Sequence, residues 1–178
     1  MIQGLHTSIR TAELDDLGML SQFYDPERPR SLYLDRRCEV YCPTKDELRE
    51  MLTRPDVRAS LGFLVVEDAE GVIRGFCALR GITQEAALAD MLLGFLDPLD
   101  FATPVAEETF AYLKRRVFTE LRLEKLMARC LDFESEYRQF LMQQGFTRDG
   151  VQREVVYAMG AYHDLESFTL VKQPERTD

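Results

Sequence analysis

Asp90 stands in the run Ala89-Asp90-Met91-Leu92, a carboxylate among apolar neighbours. In such a run it could act as a base facing a cleft. A solvent-facing or strand-edge aspartate would read the same way. Tyr137 lies at helical spacing with Phe140 and Leu141. Its phenol can donate a proton to a leaving group, or simply pack in a core. His163-Asp164, near the C-terminus, reads as a turn-stabilising pair or a catalytic one. Tyr33 and Tyr41 lie in a long connection between Pro26 and Pro43 and are candidates for substrate contact. Of the four cysteines, Cys38 and Cys42 are close in sequence, while Cys77 and Cys130 sit alone in apolar runs. With only His6 and His163 to complete a site, this pattern points to reduced structural thiols and no metal.

The run Leu99-Asp100-Phe101-Ala102-Thr103-Pro104 precedes the longest helical pattern in the chain. A helix N-terminus behind a glycine-rich loop binds anions through free backbone N–H groups. Here Pro104 has no N–H, Ala102 has less backbone freedom than glycine, and Asp100 brings a negative charge. Each lost hydrogen bond to a charged ligand removes about 1.5–3 kcal/mol, a tenfold loss or more. Glu107 and Glu108 favour the helix dipole but oppose an anion, and read as solvated first-turn residues.

The elements that must position these groups can be traced from periodicity. Ser8–Arg10 reads as a first strand, and Thr11 as the cap of a helix carrying Leu14, Leu17, Leu20 and Phe23. Thr44 and Glu47 form a capping box for a second helix that Pro55 ends. Leu61–Glu67 and Val72–Leu79 flank the turn residues Asp68 to Gly71 as a hairpin. A fourth strand runs from Ala87 to Leu96. Pro104 opens a long helix with Ala106, Phe110, Leu113, Val117 and Leu121 on one side. Lys125–Leu131 is a buried fifth strand. Glu134–Gln144 is a helix ending at Gly145. Strands Gln152–Met159 and Leu165–Lys172 complete the order, with a turn at Gly160–Asp164. The expectation is an α/β chain, with a central mixed, mostly antiparallel sheet of six to seven strands flanked by about four helices. Residues 1–178 read as a single domain, with 173–178 as a frayed tail.

A net charge of −9 and a pI near 4.8 exclude the basic footprint of nucleic-acid binding and do not suit an anionic membrane surface. No apolar run is long enough to cross a bilayer, and residues 1–10 carry no apolar signal core, so a cytoplasmic protein is expected. The acidity would steer cationic molecules toward the protein.

The order of elements, together with Gly145-Phe146, Arg148-Asp149-Gly150, Arg153 and Gly160 to Asp164, resembles the GCN5-related N-acetyltransferase superfamily. The C-terminal residues look like the branch that acetylates protein N-termini, with Asp149 where that branch has Glu. The resemblance covers Ile9 to Leu170. It implies a sheet splayed between its fourth and fifth strands, acetyl-coenzyme A as donor, and a primary amine as acceptor, peptide or small molecule. A homodimer is compatible with it. Asp90 would be the base and Tyr137 the proton donor to the leaving thiolate. Gly94, Phe95 or Leu96 would supply the amide that polarises the thioester. Phe101, Ala102, Thr103 and Val105 would line the pyrophosphate turn, where the family has a glycine-rich motif, and Glu134 stands where it often has Asn. A Tyr that the family often places four residues before the glycine is Leu141 here. The residues of the turn predict coenzyme binding that is weak or lost. Two readings are open, an acetyl-coenzyme A-dependent N-acetyltransferase and a protein of this fold that has lost the coenzyme and serves as a binding or structural subunit.

Overall fold

The computed structural model describes residues 2–25, 30, 42–53 and 64–173. Tyr33, Tyr41 and Cys38 lie outside these residues, as do the first three positions expected in the Leu61–Glu67 strand. Among the described residues, eight strands form one sheet: β1 (Ile2–Gln3), β2 (Thr7–Thr11), β3 (Leu64–Asp68), β4 (Ile73–Thr83), β5 (Leu88–Phe95), β6 (Lys125–Leu131), β7 (Thr147–Ala158) and β8 (Ala161–Val171). Their spatial order is β1-β2-β3-β4-β5-β6-β8-β7. All neighbours are antiparallel except β5 and β6. The strand beyond the expected number is the two-residue β1. Among the described residues the α-helices are α1 (Leu17–Leu20), α2 (Lys45–Thr53), α3 (Pro104–Arg115) and α4 (Ser135–Gln143).

Local chemistry explains most boundaries. Between β3 and β4, Asp68 Oδ1 accepts the N–H groups of Glu70 and Val72 at 3.1 and 2.8 Å, and Gly71 supplies φ +78°. Thr44 and Glu47 do form a reciprocal box, with the Thr44 N–H on Glu47 Oε2 at 2.7 Å and the Glu47 N–H on Thr44 Oγ1 at 3.3 Å. Gly145 takes φ +89° just past α4.

Thr11, expected to cap a helix, instead ends β2 opposite Leu64. The ladder with β3 runs through it, and Asp16 takes over by accepting the Glu13 N–H at 2.8 Å. The chain then makes three short helical segments, Leu14–Asp16, α1 and Ser21–Tyr24. Near the C-terminus, β7 and β8 are longer than the hydrophobic pattern suggests, because irregularities beside Gly150 and between Gln152 and Val156 absorb the break in alternation. His163 and Asp164 therefore lie within β8, and the reversal sits at Met159 and Gly160, with φ +49° and +79°.

The sheet is covered on both faces. On one, Met91, Leu93, Phe95, Leu126 and Ala128 pack against Phe110 and Leu113 of α3 and Tyr137, Phe140 and Leu141 of α4. On the other, Val65, Phe76, Ala78 and Leu92 pack against Leu17, Leu20, Phe23 and Leu48. Alternation along β5 thus sends odd-numbered side chains toward α3 and α4, and even-numbered ones, Asp90 among them, toward α1 and α2.

Candidate active site

The parallel pair β5–β6 holds for three rungs, Leu88–Lys125, Ala89–Leu126 and Asp90–Met127, and then stops. Both strands continue, β5 bound to β4 as far as Phe95 and β6 bound to β8 as far as Leu131. A wedge therefore opens in the sheet, and Asp90 and Met127 stand at its vertex.

Successive residues of a strand address opposite neighbours with their backbone groups. The Leu96 N–H bonds to the Arg74 carbonyl at 2.9 Å, so even-numbered residues address β4. The Ala87 carbonyl accepts the N–H groups of Glu124 and Lys125 at 2.8 and 3.0 Å, so odd-numbered residues address β6. Past the vertex, Met91, Leu93 and Phe95 turn their amides into the wedge. Of the expected donors Gly94, Phe95 and Leu96, only Phe95 faces it; the Leu96 N–H is consumed within the sheet. Met91 and Leu93 join Phe95 as wedge-facing amides. Alternation in the sequence gives their period, but only the pairing gives its phase. At the open end, the guanidinium of Arg30 donates to the Phe95 carbonyl and, at 3.1 Å, to the Leu96 carbonyl. It also lies 5.4 Å from the centre of the Phe23 ring.

Asp90 is half-buried. Burial pushes its carboxyl above the usual carboxylate range, and the charge of Arg129 on β6 offsets part of that rise. The backbone of Gly81 lies against it, so close that an added Cβ would stand 3.1 Å from Asp90 Oδ2. Tyr137 lies on the other face of the sheet, only 3% exposed. It stacks on Phe101 with ring centres 4.8 Å apart, and burial keeps its phenol protonated far above neutral pH. The two expected catalytic residues are thus separated by the sheet.

The turn before α3 satisfies itself. Asp97 Oδ1 accepts the Leu99 N–H and the Asp97 carbonyl accepts the Asp100 N–H, both at 3.0 Å. The Asp100 carbonyl accepts the Thr103 N–H at 3.0 Å, and the Thr103 carbonyl accepts those of Ala106 and Glu107 at 3.1 and 3.4 Å. Pro98 and Pro104 have none to give. The Asp100 carboxylate does not point at a ligand, as the sequence led us to expect. It is 5% exposed and held by Arg74 through bonds of 2.6 and 3.1 Å. Phe101 turns inward, its ring centre 5.0 Å from Phe95 and 5.4 Å from Phe140. Ala102 is exposed, Thr103 half-buried, and Val105 packs partly against the core.

Glu134 Oε2 accepts the Leu131 N–H at 2.8 Å and so closes the β6–α4 turn. Glu108, expected in solvent, accepts the N–H groups of His6 and Thr7 and pairs with His6 Nδ1 at 2.8 Å, because the β1–β2 hairpin lies across α3. His163 and the Asp164 N–H both bond to Asp132, at 3.0 and 3.1 Å, and serve the fold. Cys77 and Cys130 are buried; desolvation pushes the Cys77 thiol up to about 12 and Cys130 in the same direction. Among the described residues, no three of His, Cys, Asp and Glu gather around a point where a metal could sit. No helix in these residues is long and apolar enough to cross a membrane.

No family model matches the chain, and no curated protein matches its sequence. Solved structures do match its fold. A probable acetyltransferase is 21% identical with a TM-score of 0.74, over 94% of each chain. The spermidine N-acetyltransferase of Vibrio cholerae, in complex with CoA and spermine, is 20% identical with a TM-score of 0.76, over 93% of this chain and 95% of that one. A dodecameric structure of the Vibrio cholerae enzyme in an intermediate state is 21% identical with a TM-score of 0.75, over 97% and 98%. The chain has the fold of the GCN5-related N-acetyltransferases.

Proposed function

We propose that the protein is an N-acetyltransferase that moves an acetyl group directly from a coenzyme A thioester to a primary amine. The observation that carries this reading is the half-buried Asp90 at the vertex of the wedge, beside the edge of Met91, Leu93 and Phe95, which has no strand partner among the described residues. The edge suits the amide-bearing arm of the donor, which can add to β5 as a further strand would. The turn before α3 does not suit its diphosphate, since the backbone there is already bonded. When bound, acetyl-coenzyme A supplies an activated thioester.

The protein's own residues then have two tasks. An amine attacks only when neutral, so its ammonium proton must leave. Asp90, with a pKa raised by burial, accepts that proton better than a solvated carboxylate would. A wedge-facing N–H from Phe95 or Leu93 can donate to the carbonyl oxygen where negative charge develops. Tyr137 acts here by packing, which holds α4 against Phe101. The acceptor class is a cationic amine such as a polyamine, a basic peptide N-terminus or an aminoglycoside-like molecule, because the net charge of −9 attracts it. The spermine complex of the Vibrio cholerae enzyme supports the polyamine arm of this reading. We also propose a cytoplasmic setting, a single domain and self-association, the last because the Vibrio cholerae enzyme is dodecameric. The test is acetylation of an amine panel by the protein and by Asp90→Asn, with the melting temperature read with and without acetyl-coenzyme A.

The self-bonded turn favours a second reading, a protein of this fold without a coenzyme that serves as a binding subunit. No melting shift with acetyl-coenzyme A or its arm, and no acetylated amine, would establish it in place of the first. A ligand at 100 times its dissociation constant adds about 2.7 kcal/mol, so the shift is easy to see if it exists.

A further inference from the structure

Donor recognition separates into two ends, and the structure treats them differently. At the thioester end, the N–H groups of Met91, Leu93 and Phe95 lie along an edge with no strand partner among the described residues, its far end met by Arg30 at the Phe95 carbonyl. At the diphosphate end, the N–H groups of Leu99, Asp100, Thr103, Ala106 and Glu107 already have acceptors, and Pro98 and Pro104 bring none. Val105 is the first-turn residue of α3 whose N–H takes no acceptor among the described residues. Among those residues the cation bonded to this turn is Arg74, which is bound by Asp100 at 2.6 Å and lies 4.0 Å from Asp68. A diphosphate placed there would meet one N–H, a neutralised guanidinium, and the carboxylates of Asp97 and Glu107. Charge-assisted bonds that fix a diphosphate elsewhere have no counterpart among the described residues in that setting.

The geometry points to a donor specificity confined to the thioester arm: S-acetylpantetheine and similar short acyl thioesters serve as donors as well as acetyl-coenzyme A does. This inference rests on the acetyl-transfer reading. The chemistry is the same for each donor. The ammonium gives one proton to Asp90 and becomes a neutral amine; the C–N bond then forms, the acyl C–S bond breaks, and the second proton of the nitrogen passes through water to the leaving thiolate. Nothing in that sequence needs the nucleotide.

The experiment compares acetyl-coenzyme A, its 3′-dephospho form and S-acetylpantetheine with one accepted amine, and measures the Kd of coenzyme A and of pantetheine by calorimetry. We expect kcat/KM and Kd to agree within about threefold across donors, with no weakening of coenzyme A binding as salt rises. The double variant Leu99→Arg, Pro104→Gly supplies a cation and an N–H. It should favour acetyl-coenzyme A about tenfold or more, leaving S-acetylpantetheine unchanged. Its melting temperature shows whether it folds; if it does not, the wild-type comparison decides alone. A preference of wild type for acetyl-coenzyme A of about thirtyfold or more overturns the inference while leaving acetyl transfer standing. Equal Kd values support it even where the chosen amine is a poor acceptor. If neither thiol binds and no donor acetylates anything, both the inference and the acetyl-transfer reading fall.

Discussion

Arg74 on β4 grips the buried carboxylate of Asp100 across the turn that leads into α3, with bonds of 2.6 and 3.1 Å. The pair fastens β4 to the turn between β5 and α3 and engages both charges. Arg74→Met leaves Asp100 buried without a partner. Because Arg74 is itself partly exposed, the loss should be about 2 kcal/mol, below that of a fully buried pair. Urea unfolding should show a lower midpoint with an unchanged slope. Arg74→Met with Asp100→Leu should recover much of the stability, since no orphaned charge remains.

Asp90→Asn separates catalysis from folding. If Asp90 is the base, the variant should lose about 10²-fold or more in rate. Its effect on stability has the opposite sense. A carboxyl whose pKa is raised in the folded state binds its proton more tightly there, so it lowers stability as pH rises from its ordinary value of 3.8 through the raised one. Asp90→Asn should therefore match wild type in acid and equal or exceed it at neutral pH. A variant that is both inactive and destabilised at neutral pH would assign Asp90 to structure.

Arg10 holds Asp16 with bonds of 2.8 and 2.9 Å and Glu67 at 2.8 Å, joining β2 to β3 and to the first helical turn. The Arg10 guanidinium keeps the Asp16 carboxyl below its ordinary 3.8, with further help from the Glu13 N–H. Stability from this pair is present above that value and is lost as pH falls through the depressed one. Arg10→Met should flatten this part of the acid-unfolding curve and cost about 1.5–3 kcal/mol at pH 7.

Tyr137 tests packing against proton donation. Tyr137→Phe keeps the stack on Phe101 and should leave kcat within about twofold. Phe101→Ala removes a ring that meets Phe95, Tyr137 and Phe140, and should cost about 3–5 kcal/mol in thermal or urea unfolding. A loss of about tenfold or more in kcat for Tyr137→Phe, with stability intact, would restore the phenol to the chemistry.

Acceptor charge can be read from salt. Acetylation of cationic amines should fall as ionic strength rises, while neutral amines should be indifferent. Activity confined to anionic or neutral amines would remove electrostatic steering from the account.

The chain's pattern by itself determined the run of elements from β3 to α4. Turn chemistry at Asp68 to Gly71, Pro104 at a first helical turn and Gly145 past a last one are local signals, and local signals depend only on neighbours in sequence. The same locality made the poverty of the Leu99–Val105 turn readable, since a proline lacks its N–H in any fold. Which face of the sheet Asp90 takes, which of Gly94, Phe95 and Leu96 aims its amide into the wedge, and what the Asp100 carboxylate meets were all beyond the sequence. Each depends on which strand pairs with which and in what register. A slip of one residue reverses every side chain and every amide. Thr11 shows the same limit, because its competence as a helix cap lost to a ladder with Leu64, far along the chain. Residue types set what chemistry the chain could carry, and long-range pairing decided where that chemistry points.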